Sequence, residues 1–349
     1  MLLDHDLYRK QVEDVIRQND LPWESLKNKS VMITGAAGML GSALVDVLIL
    51  LNEEMNVPVT IYALGRTESK LLARFEGYTD KPYFHILTLD ISKEMEMEEE
   101  VDYIVHAASN ADPVHFAKYP VDTLLANVVG VNNVLDLARR KNATKVVYVS
   151  SGEMYGQPDD SLTKGFYEGY CGYVDYSNPR SCYPSGKRAS EVLCQSYLSQ
   201  YGTDVAIVRP CHCYGPTMTT TDSRAMSQFI RLALNGEDIV LKSDGSLVRT
   251  HCYVTDAAAA MFYVMLKSGA GEAYNIADND SDASIREVAT IISKEKGKEV
   301  IFDLPDDVEK RGFSKVTRAV LDGDKLVALG WKPQIHLEEG IHSTMEILG

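Results

Sequence analysis

The sequence predicts an α/β chain: a doubly wound parallel sheet with a smaller mixed α/β lobe at the sheet's carboxyl edge. Three observations predict it. Apolar runs of strand length alternate with longer helical-period segments through the first 210 residues, the pattern of parallel strands joined by right-handed crossovers. A glycine-rich turn, Thr34-Gly35-Ala36-Ala37-Gly38-Met39-Leu40-Gly41, joins the first such strand to the first such helix. Beyond about residue 210 the elements shorten and mix, as a lobe set on a sheet edge would.

The elements follow in order. Residues 1–30 read as a helical extension, with an amphipathic helix from Leu7 to Ile16 and a turn at Pro22-Trp23. Strands are expected near 31–34, 59–64, 84–89, 102–106, 145–150 and 205–209, and helices over 39–52, 120–141 and 184–201. These make a domain over 31–210, with a loop at 156–182 beside its site. Helical runs at 223–235, 255–267, 284–296 and 337–348, with Gly/Ser turns at 243–246 and 268–271, place the smaller lobe mainly in 211–349. Some of these segments are expected to return to the first domain. The substrate belongs in the crevice between the lobes.

Bulk properties narrow the classes. The 349 residues suffice for a large core, and 45% apolar with 24% charged residues is the composition of an ordinary globular protein. A net charge of −15 disfavours nucleic acid and anionic lipid as partners, so an anionic ligand needs a local cationic patch. The first ten residues carry acids and no apolar h-region, and no apolar stretch has bilayer length, so a cytoplasmic protein is expected. The cysteines at 171, 182, 194, 211, 213 and 252 are expected as reduced thiols. In Cys211-His212-Cys213, a strand puts both thiols on one face and His212 on the other, so no metal site is expected.

The turn at 34–41 brings backbone N–H groups and a helix N-terminus to a pyrophosphate, the dinucleotide-binding (Rossmann) arrangement. Cys182-Tyr183-Pro184-Ser185-Gly186-Lys187 contains a Tyr-x-x-x-Lys, and residues four apart share a helix face. Pro184 suits a first helical turn. A free tyrosine, with a pKa of about 10, is a poor base at neutral pH. A neighbouring ammonium and an oxidised nicotinamide are expected to lower that value and let Tyr183 take a hydroxyl proton while hydride leaves the same carbon. Ser151 ends a strand at the carboxyl edge, where its hydroxyl can relay or orient that proton. Glu153, two residues on, is either a general acid/base or a helix cap; partial desolvation favours catalysis. Arg224 and Arg249 are candidates for a diphosphate, against solvated surface charge.

The chain resembles extended short-chain dehydrogenase/reductases of the NDP-sugar epimerase/dehydratase family. The resemblance covers roughly 30–349 and is strongest at 145–256. It rests on Thr34–Gly41, His106-Ala107-Ala108, Asn127, Ser151-Gly152-Glu153-Met154-Tyr155-Gly156, Tyr183/Lys187, Arg209-Pro210, Tyr214-Gly215-Pro216 and Arg249 before Tyr253-Val254-Thr255-Asp256. Asn178-Pro179-Arg180 through Lys187-Arg188-Ala189-Ser190-Glu191, and Arg224 through Glu237, look most like UDP-glucuronate decarboxylases.

The resemblance implies tightly held NAD that takes hydride from sugar C4 while Tyr183 takes the proton. The 4-keto sugar then loses CO2, epimerises or eliminates water. It further implies Ser151, Glu153, Tyr183 and Lys187 as catalytic residues, a nucleotide-diphosphate sugar as partner, and a homodimer through the helices at 120–141 and 184–201. Cofactor contacts fall on Gly35, Gly38, Met39, Leu40, Gly41, Arg66, Asp90, Ile91, Ala107, Ala108, Asn127, Tyr183, Lys187 and Pro210, with Asp90-Ile91 along the adenine. Substrate contacts fall on Ser109, His212, Arg224 and Arg249. NADP stays open, because Leu64-Gly65-Arg66 ends the second strand without an acid for the ribose and Arg66 can face a 2′-phosphate.

The chain also departs from the family. Dehydratases carry Asp-Glu where it has Gly152-Glu153. Decarboxylases carry a hydroxyl residue at Gly152 and an arginine at Thr217. His212 stands where asparagine is common. A UDP-glucuronate decarboxylase-like activity comes first and a 4-epimerase second, ahead of a 4,6-dehydratase, a net reductase or a non-catalytic cofactor sensor.

Overall fold

The computed structural model describes residues 2–18, 20–109, 111–303 and 318–349. The 304–317 part of the 211–349 range therefore lies outside the described residues. The first half of the chain alternates as expected. Helix α1 (Asp6–Ile16) leads to β1 (Lys29–Thr34), α2 (Met39–Glu54), β2 (Val59–Gly65), α3 (Glu68–Arg74), β3 (Phe84–Thr88) and β4 (Tyr103–His106). Then come α4 (Pro113–Lys118), α5 (Pro120–Arg140), β5 (Lys145–Val149), α6 (Cys182–Tyr201) and β6 (Val205–Pro210). The second half runs β7 (His212–Tyr214), α7 (Ala225–Leu234), β8 (Ile239–Leu241), β9 (Val248–Tyr253), α8 (Val254–Lys267) and β10 (Ala273–Ile276). It ends with β11 (Asp282–Ser284), α9 (Ile285–Glu295), β12 (Val300–Phe302), β13 (Arg318–Ala319), α10 (Asp324–Ala328) and α11 (Leu337–Leu348).

The main sheet has seven parallel strands in the order β10-β6-β5-β4-β1-β2-β3. The order reverses between β1 and β4, and in such sheets ligands bind outside the carboxyl ends at that switch point. Both sheet faces are covered, so β1, β5 and β6 are almost wholly buried, as parallel strands between helix layers must be.

Two placements differ from the sequence reading. Ala273–Ile276 was expected in the smaller lobe and instead pairs with β6 as the seventh strand. The extension at 1–30 is an integral part of the first core. Tyr8, Val12, Val15 and Ile16 of α1 are buried with residues of α2 and α8, and the Tyr8 hydroxyl donates to Asp46 at 2.7 Å. Trp23 meets Phe262 of α8 edge-on, 5.1 Å between ring centroids.

The smaller lobe has its own core, in which Met226, Phe229 and Ile230 of α7 meet Val288 and Ile292 of α9 and Ile341 of α11. Its strands β11, β9, β13 and β7 form one sheet, and β8 pairs with β12. Strand β7 follows directly on β6, so this sheet begins where the main one ends. No helix among the described residues is long and apolar enough to cross a membrane.

Candidate active site

At the switch point the glycines divide their work. Gly35 has φ +71°, and a Cβ there would lie 2.9 Å from the backbone of Ala108 at the end of β4. A Cβ on Gly41 would lie 2.3 Å from the Gly35 carbonyl oxygen, so the first turn of α2 packs directly on the loop. Gly38 meets only that carbonyl, at 3.1 Å, and caps α2 with no side-chain hydrogen bond. The N–H groups of this first turn, with Met39 and Leu40, therefore face outward uncapped, a cradle for a pyrophosphate. Thr34 ties β1 to β4: its hydroxyl accepts from Ala108 N and meets His106 Nδ1 at 2.7 Å.

The rest of the expected cofactor set is partly committed to the protein. Arg66 is exposed at the end of β2. The Asp90 carboxylate accepts from the N–H and hydroxyl of Ser92, which together hold its pKa below the usual range. Ile91, expected along an adenine, is buried, with its Cδ1 2.8 Å from where a Cβ of Gly130 in α5 would sit. Its side chain serves helix packing. The Asn127 carboxamide donates to Thr123 O and accepts from Ser109 Oγ at 3.0 Å, so Ser109, expected at the substrate, is bonded to α5. Ala107, Ala108 and Pro210 sit at strand ends on the carboxyl edge.

Ser151, Tyr183 and Lys187 converge at the same edge. Tyr183 lies in the first turn of α6, buried and stacked on Phe116 with ring centroids 5.1 Å apart. Lys187, one turn on, donates from Nζ to Val149 O at 2.8 Å and lies 5.7 Å from the centre of the Tyr183 ring. Ser151 caps the short turn Gly152–Tyr155, and its hydroxyl hydrogen-bonds that of Tyr183.

The electrostatics correct one expectation. Burial, followed by the charge of Glu153, pushes the Tyr183 pKa up; the Ser151 hydrogen bond and Arg224 only partly oppose this. Burial drives Lys187 down to about 7, against the pull of Glu191. The enclosure that aligns the two groups also removes water, which disfavours the charged form of each. Glu153, expected to be partly desolvated, is exposed at the rim.

Sequence reasoning missed the support beneath this set. Glu191 is buried, bonded by Arg209 Nε at 3.0 Å and Nη2 at 2.6 Å, and accepts from Ser150 Oγ at 2.6 Å. Arg209 Nη1 also donates to Tyr155, whose hydroxyl donates to Asn275 on β10. The position of Glu191, four residues after Lys187 on the same helix face, was its one available signal.

On the smaller lobe, a cavity is lined by His212, Arg224, Met226, Phe229, Arg249 and His251, among others. Arg224 differs from expectation: its fork is taken by Asp222, with Nε 3.0 Å from Oδ1. Arg249 is otherwise. Its Nε is buried and makes no hydrogen bond among the described residues, and burial pulls its pKa below the ordinary guanidinium value. His212 Nδ1 is likewise buried without a partner. Cys211 and Cys213 both pack with the first core and their thiols neighbour each other, as expected of two residues on one strand face.

Residues 31–277 match the model of one protein family, described as NAD dependent epimerase/dehydratase. The chain belongs to that family. It is 32% identical over 321 residues to UDP-glucuronic acid decarboxylase 1 of Xenopus tropicalis, covering 91% of this chain and 71% of the relative. It is 33% identical over 321 residues to UDP-glucuronic acid decarboxylase 6 of Arabidopsis thaliana, covering 90% and 87%. Among solved structures it is similar to UDP-glucose 4-epimerase from Thermotoga maritima with UDP-glucose (TM-score 0.78, 22% identity, 91% and 98% covered), a likeness of fold alone. It is also similar to DesIV, a dTDP-glucose 4,6-dehydratase from Streptomyces venezuelae with NAD and TYD bound (TM-score 0.77, 25% identity, 91% and 96% covered).

As an epimerase/dehydratase-family protein, the chain accommodates its departures structurally. A Cβ on Gly152 would meet both methyls of Leu321 at 3.0 Å, so Leu321 fills the space beside that position. Thr217 donates to Met39 O at 3.0 Å, bracing the first turn of α2 where decarboxylases carry arginine.

Proposed function

We propose that the protein modifies a nucleotide-diphosphate sugar through a 4-keto intermediate, with UDP-glucuronate decarboxylation as the specific reaction. The observation that carries this is the buried, partnerless Nε of Arg249, a residue that lines a cavity of the smaller lobe and feels the charge of Glu153 from the catalytic edge. An unpaired buried guanidinium calls for an anion. Coverage of most of the chain at 33% identity by decarboxylases supports the reaction type.

NAD fits the cradle of Gly35, Gly38 and Gly41 and, when bound, supplies a hydride acceptor beside Tyr183. Arg249 and His212 hold the diphosphate. Tyr183 removes the C4 hydroxyl proton, and its Ser151 contact keeps its hydroxyl oriented. The Lys187 ammonium favours the phenolate. The C4 ketone makes a C6 carboxylate a β-keto acid, which loses CO2; the resulting enolate takes a proton at C5, a step open to Glu153. Tyr183 would give its proton back to the C4 oxygen as the ketone is reduced, the hydride being what bound NAD would supply. The net reaction consumes one proton and yields CO2 and a UDP-pentose.

One observation favours a 4-epimerase as the second reading. With Gly152, Thr217 and the apolar Leu321, this chain offers neither the hydroxyl nor the arginine that decarboxylases carry. The exposed Val121 and Leu125 of α5 and Val192 of α6 support a homodimer through this helix pair. A cytoplasmic location fits the absence of a spanning helix among the described residues.

The test incubates the purified protein with UDP-glucuronate and NAD+ and follows products by mass spectrometry and proton NMR. Loss of CO2 to a UDP-pentose is the expected result. An isomer of unchanged mass supports the second reading, and no conversion overturns UDP-glucuronate as substrate.

A further inference from the structure

The helix that carries Tyr183 sets where its side chain starts, but not how its ring lies. The outer torsion of a tyrosine has broad wells, so backbone and rotamer preference leave the ring plane open and neighbours must fix it. Lys187 Nζ lies 5.7 Å from the ring centre, and a point charge at that distance defines no plane. The two large cores on the faces of the main sheet do not include the ring either. Among the described residues, Phe116, Cys182 and Tyr183 form a small buried cluster of their own, apart from both.

Within that cluster the flat partner is Phe116, which is 1% exposed. The two rings have centroids 5.1 Å apart and planes 12° from parallel. A near-parallel pair at this separation is offset, the stacked arrangement that aromatic quadrupoles favour.

Phe116 is itself held from two sides. It rides on α4, where the N–H of Val114 donates to the Asp112 carboxylate at 2.9 Å. The other oxygen of that carboxylate accepts from Ser223 N at 3.2 Å, which ties the start of α4 to the smaller lobe beside Arg224. From the side of α6, the Arg180 guanidinium lies 5.3 Å from the centre of the Phe116 ring, and the Cys182 thiol donates to Phe116 O at 3.8 Å. A cation over an aromatic face is attracted to it, so Arg180 presses the ring into place.

We propose that Phe116 is a positioning residue for proton transfer at Tyr183: its ring is a shelf that fixes the plane of the phenol and closes one of its faces to water. The inference rests on Tyr183 as the proton-transferring group of the proposed reaction. A reacting group displaced by about 1 Å can cost on the order of 100-fold in rate, so the shelf acts on turnover more than on substrate affinity.

Two variants of the NAD-loaded protein test it. Phe116→Leu keeps apolar bulk and removes the flat ring, and Phe116→Ala also opens the face. Conversion of UDP-glucuronate gives kcat and KM. Treatment with tetranitromethane, followed by peptide mass spectrometry, reads the access of the reagent to each tyrosine. In Phe116→Leu, kcat should fall by about 10- to 100-fold with KM and bound cofactor unchanged. Tyr183 should be protected in the parent and nitrated in both variants, faster in Phe116→Ala, while Tyr148 and Tyr155, buried elsewhere, stay protected. Parent-like kcat in Phe116→Leu overturns the inference, as does a Tyr183 protected in both variants as well as in the parent. Nitration of all three tyrosines in Phe116→Leu marks a general loosening and overturns it too. A parent that converts no UDP-glucuronate instead overturns the substrate reading, and the nitration pattern then decides the shelf by itself.

Discussion

The two glycines at the start of α2 make separable predictions. Gly41→Ala places a Cβ 2.3 Å from the Gly35 oxygen, 2.9 Å from its carbon and 3.0 Å from Ala36 Cα. All three atoms are backbone, so relief requires moving the helix or the loop, and overpacking of this kind costs about 1–3 kcal/mol. Gly38→Ala meets one atom at 3.1 Å, and its φ of −80° and ψ of 169° suit any residue. Its expected fold cost is the weaker N-cap of alanine, about 0.5 kcal/mol. The added methyl nevertheless stands where the pyrophosphate approaches. Losing one charge-assisted hydrogen bond, about 1.5–3 kcal/mol, weakens NAD by roughly 10- to 150-fold. With NAD+ at about 100 times the parent Kd, ligand stabilisation of about 2.7 kcal/mol would fall to about 0.4 kcal/mol for a 100-fold loss. Thermal or urea unfolding with and without NAD+ reads both quantities. Gly41→Ala should be destabilised by about 1–3 kcal/mol without ligand, whereas Gly38→Ala should lose only about 0.5 kcal/mol without ligand and most of the ligand's contribution. Full NAD stabilisation of Gly38→Ala, or parent-like stability of Gly41→Ala, refutes the reasoning.

Tyr183→Phe should reduce turnover by about 10²- to 10⁴-fold, the usual worth of a general acid–base, with bound cofactor retained by absorbance; near-parent turnover removes the assigned role. Asp256 is buried under the N–H groups of Gln334 and Ile335, and burial raises its pKa from 3.8 to about 7. A raised folded pKa gives stability that is present at low pH and lost as pH climbs to about 7. Relative to Asp256→Asn, the parent should therefore lose about 3 kcal/mol between pH 5 and pH 8 in denaturant titrations; a pH-independent difference contradicts this. Light scattering should report twice the 38.7 kDa chain mass, and Leu125→Glu on the exposed face of α5 should reduce it to one chain. A monomeric parent removes the dimer.

What was legible in the sequence was what is local. Strand and helix periodicity located six strands of the main sheet, and fixed spacings located Gly35–Gly41 and Tyr183–Lys187. The seventh strand was not legible. Ala273–Ile276 is four residues long and pairs with β6 across more than sixty residues of chain, so nothing nearby distinguishes it from the short strands of the smaller lobe. The Glu191–Arg209 pair was hidden for the same reason, since its partners lie on α6 and β6 and meet only through packing. The direction of the Tyr183 shift was also out of reach. Spacing shows that an ammonium lies one turn away, but not that both groups are enclosed, and enclosure decides the sign.

The enclosure has a consequence for when the site becomes competent. Lys187 near 7 is close to half-protonated at neutral pH, and Tyr183 is held as the phenol. For Lys187 burial outweighs the pull of Glu191, and for the Tyr183 phenolate the cations at hand are the partly titrated lysine and Arg224, which Asp222 already engages. A protonated Lys187 and an ionised Tyr183 would satisfy each other, so the proton balance of the pair, not either residue alone, sets the pH at which it works. Glu191 tips that balance by raising Lys187, and Arg209 holds the Glu191 carboxylate in place through Nε and Nη2. The buried carboxylate four residues beyond Lys187 therefore acts on the tyrosine through the lysine. That is a physical reason for Tyr183, Lys187 and Glu191 to recur at intervals of four along one helix face.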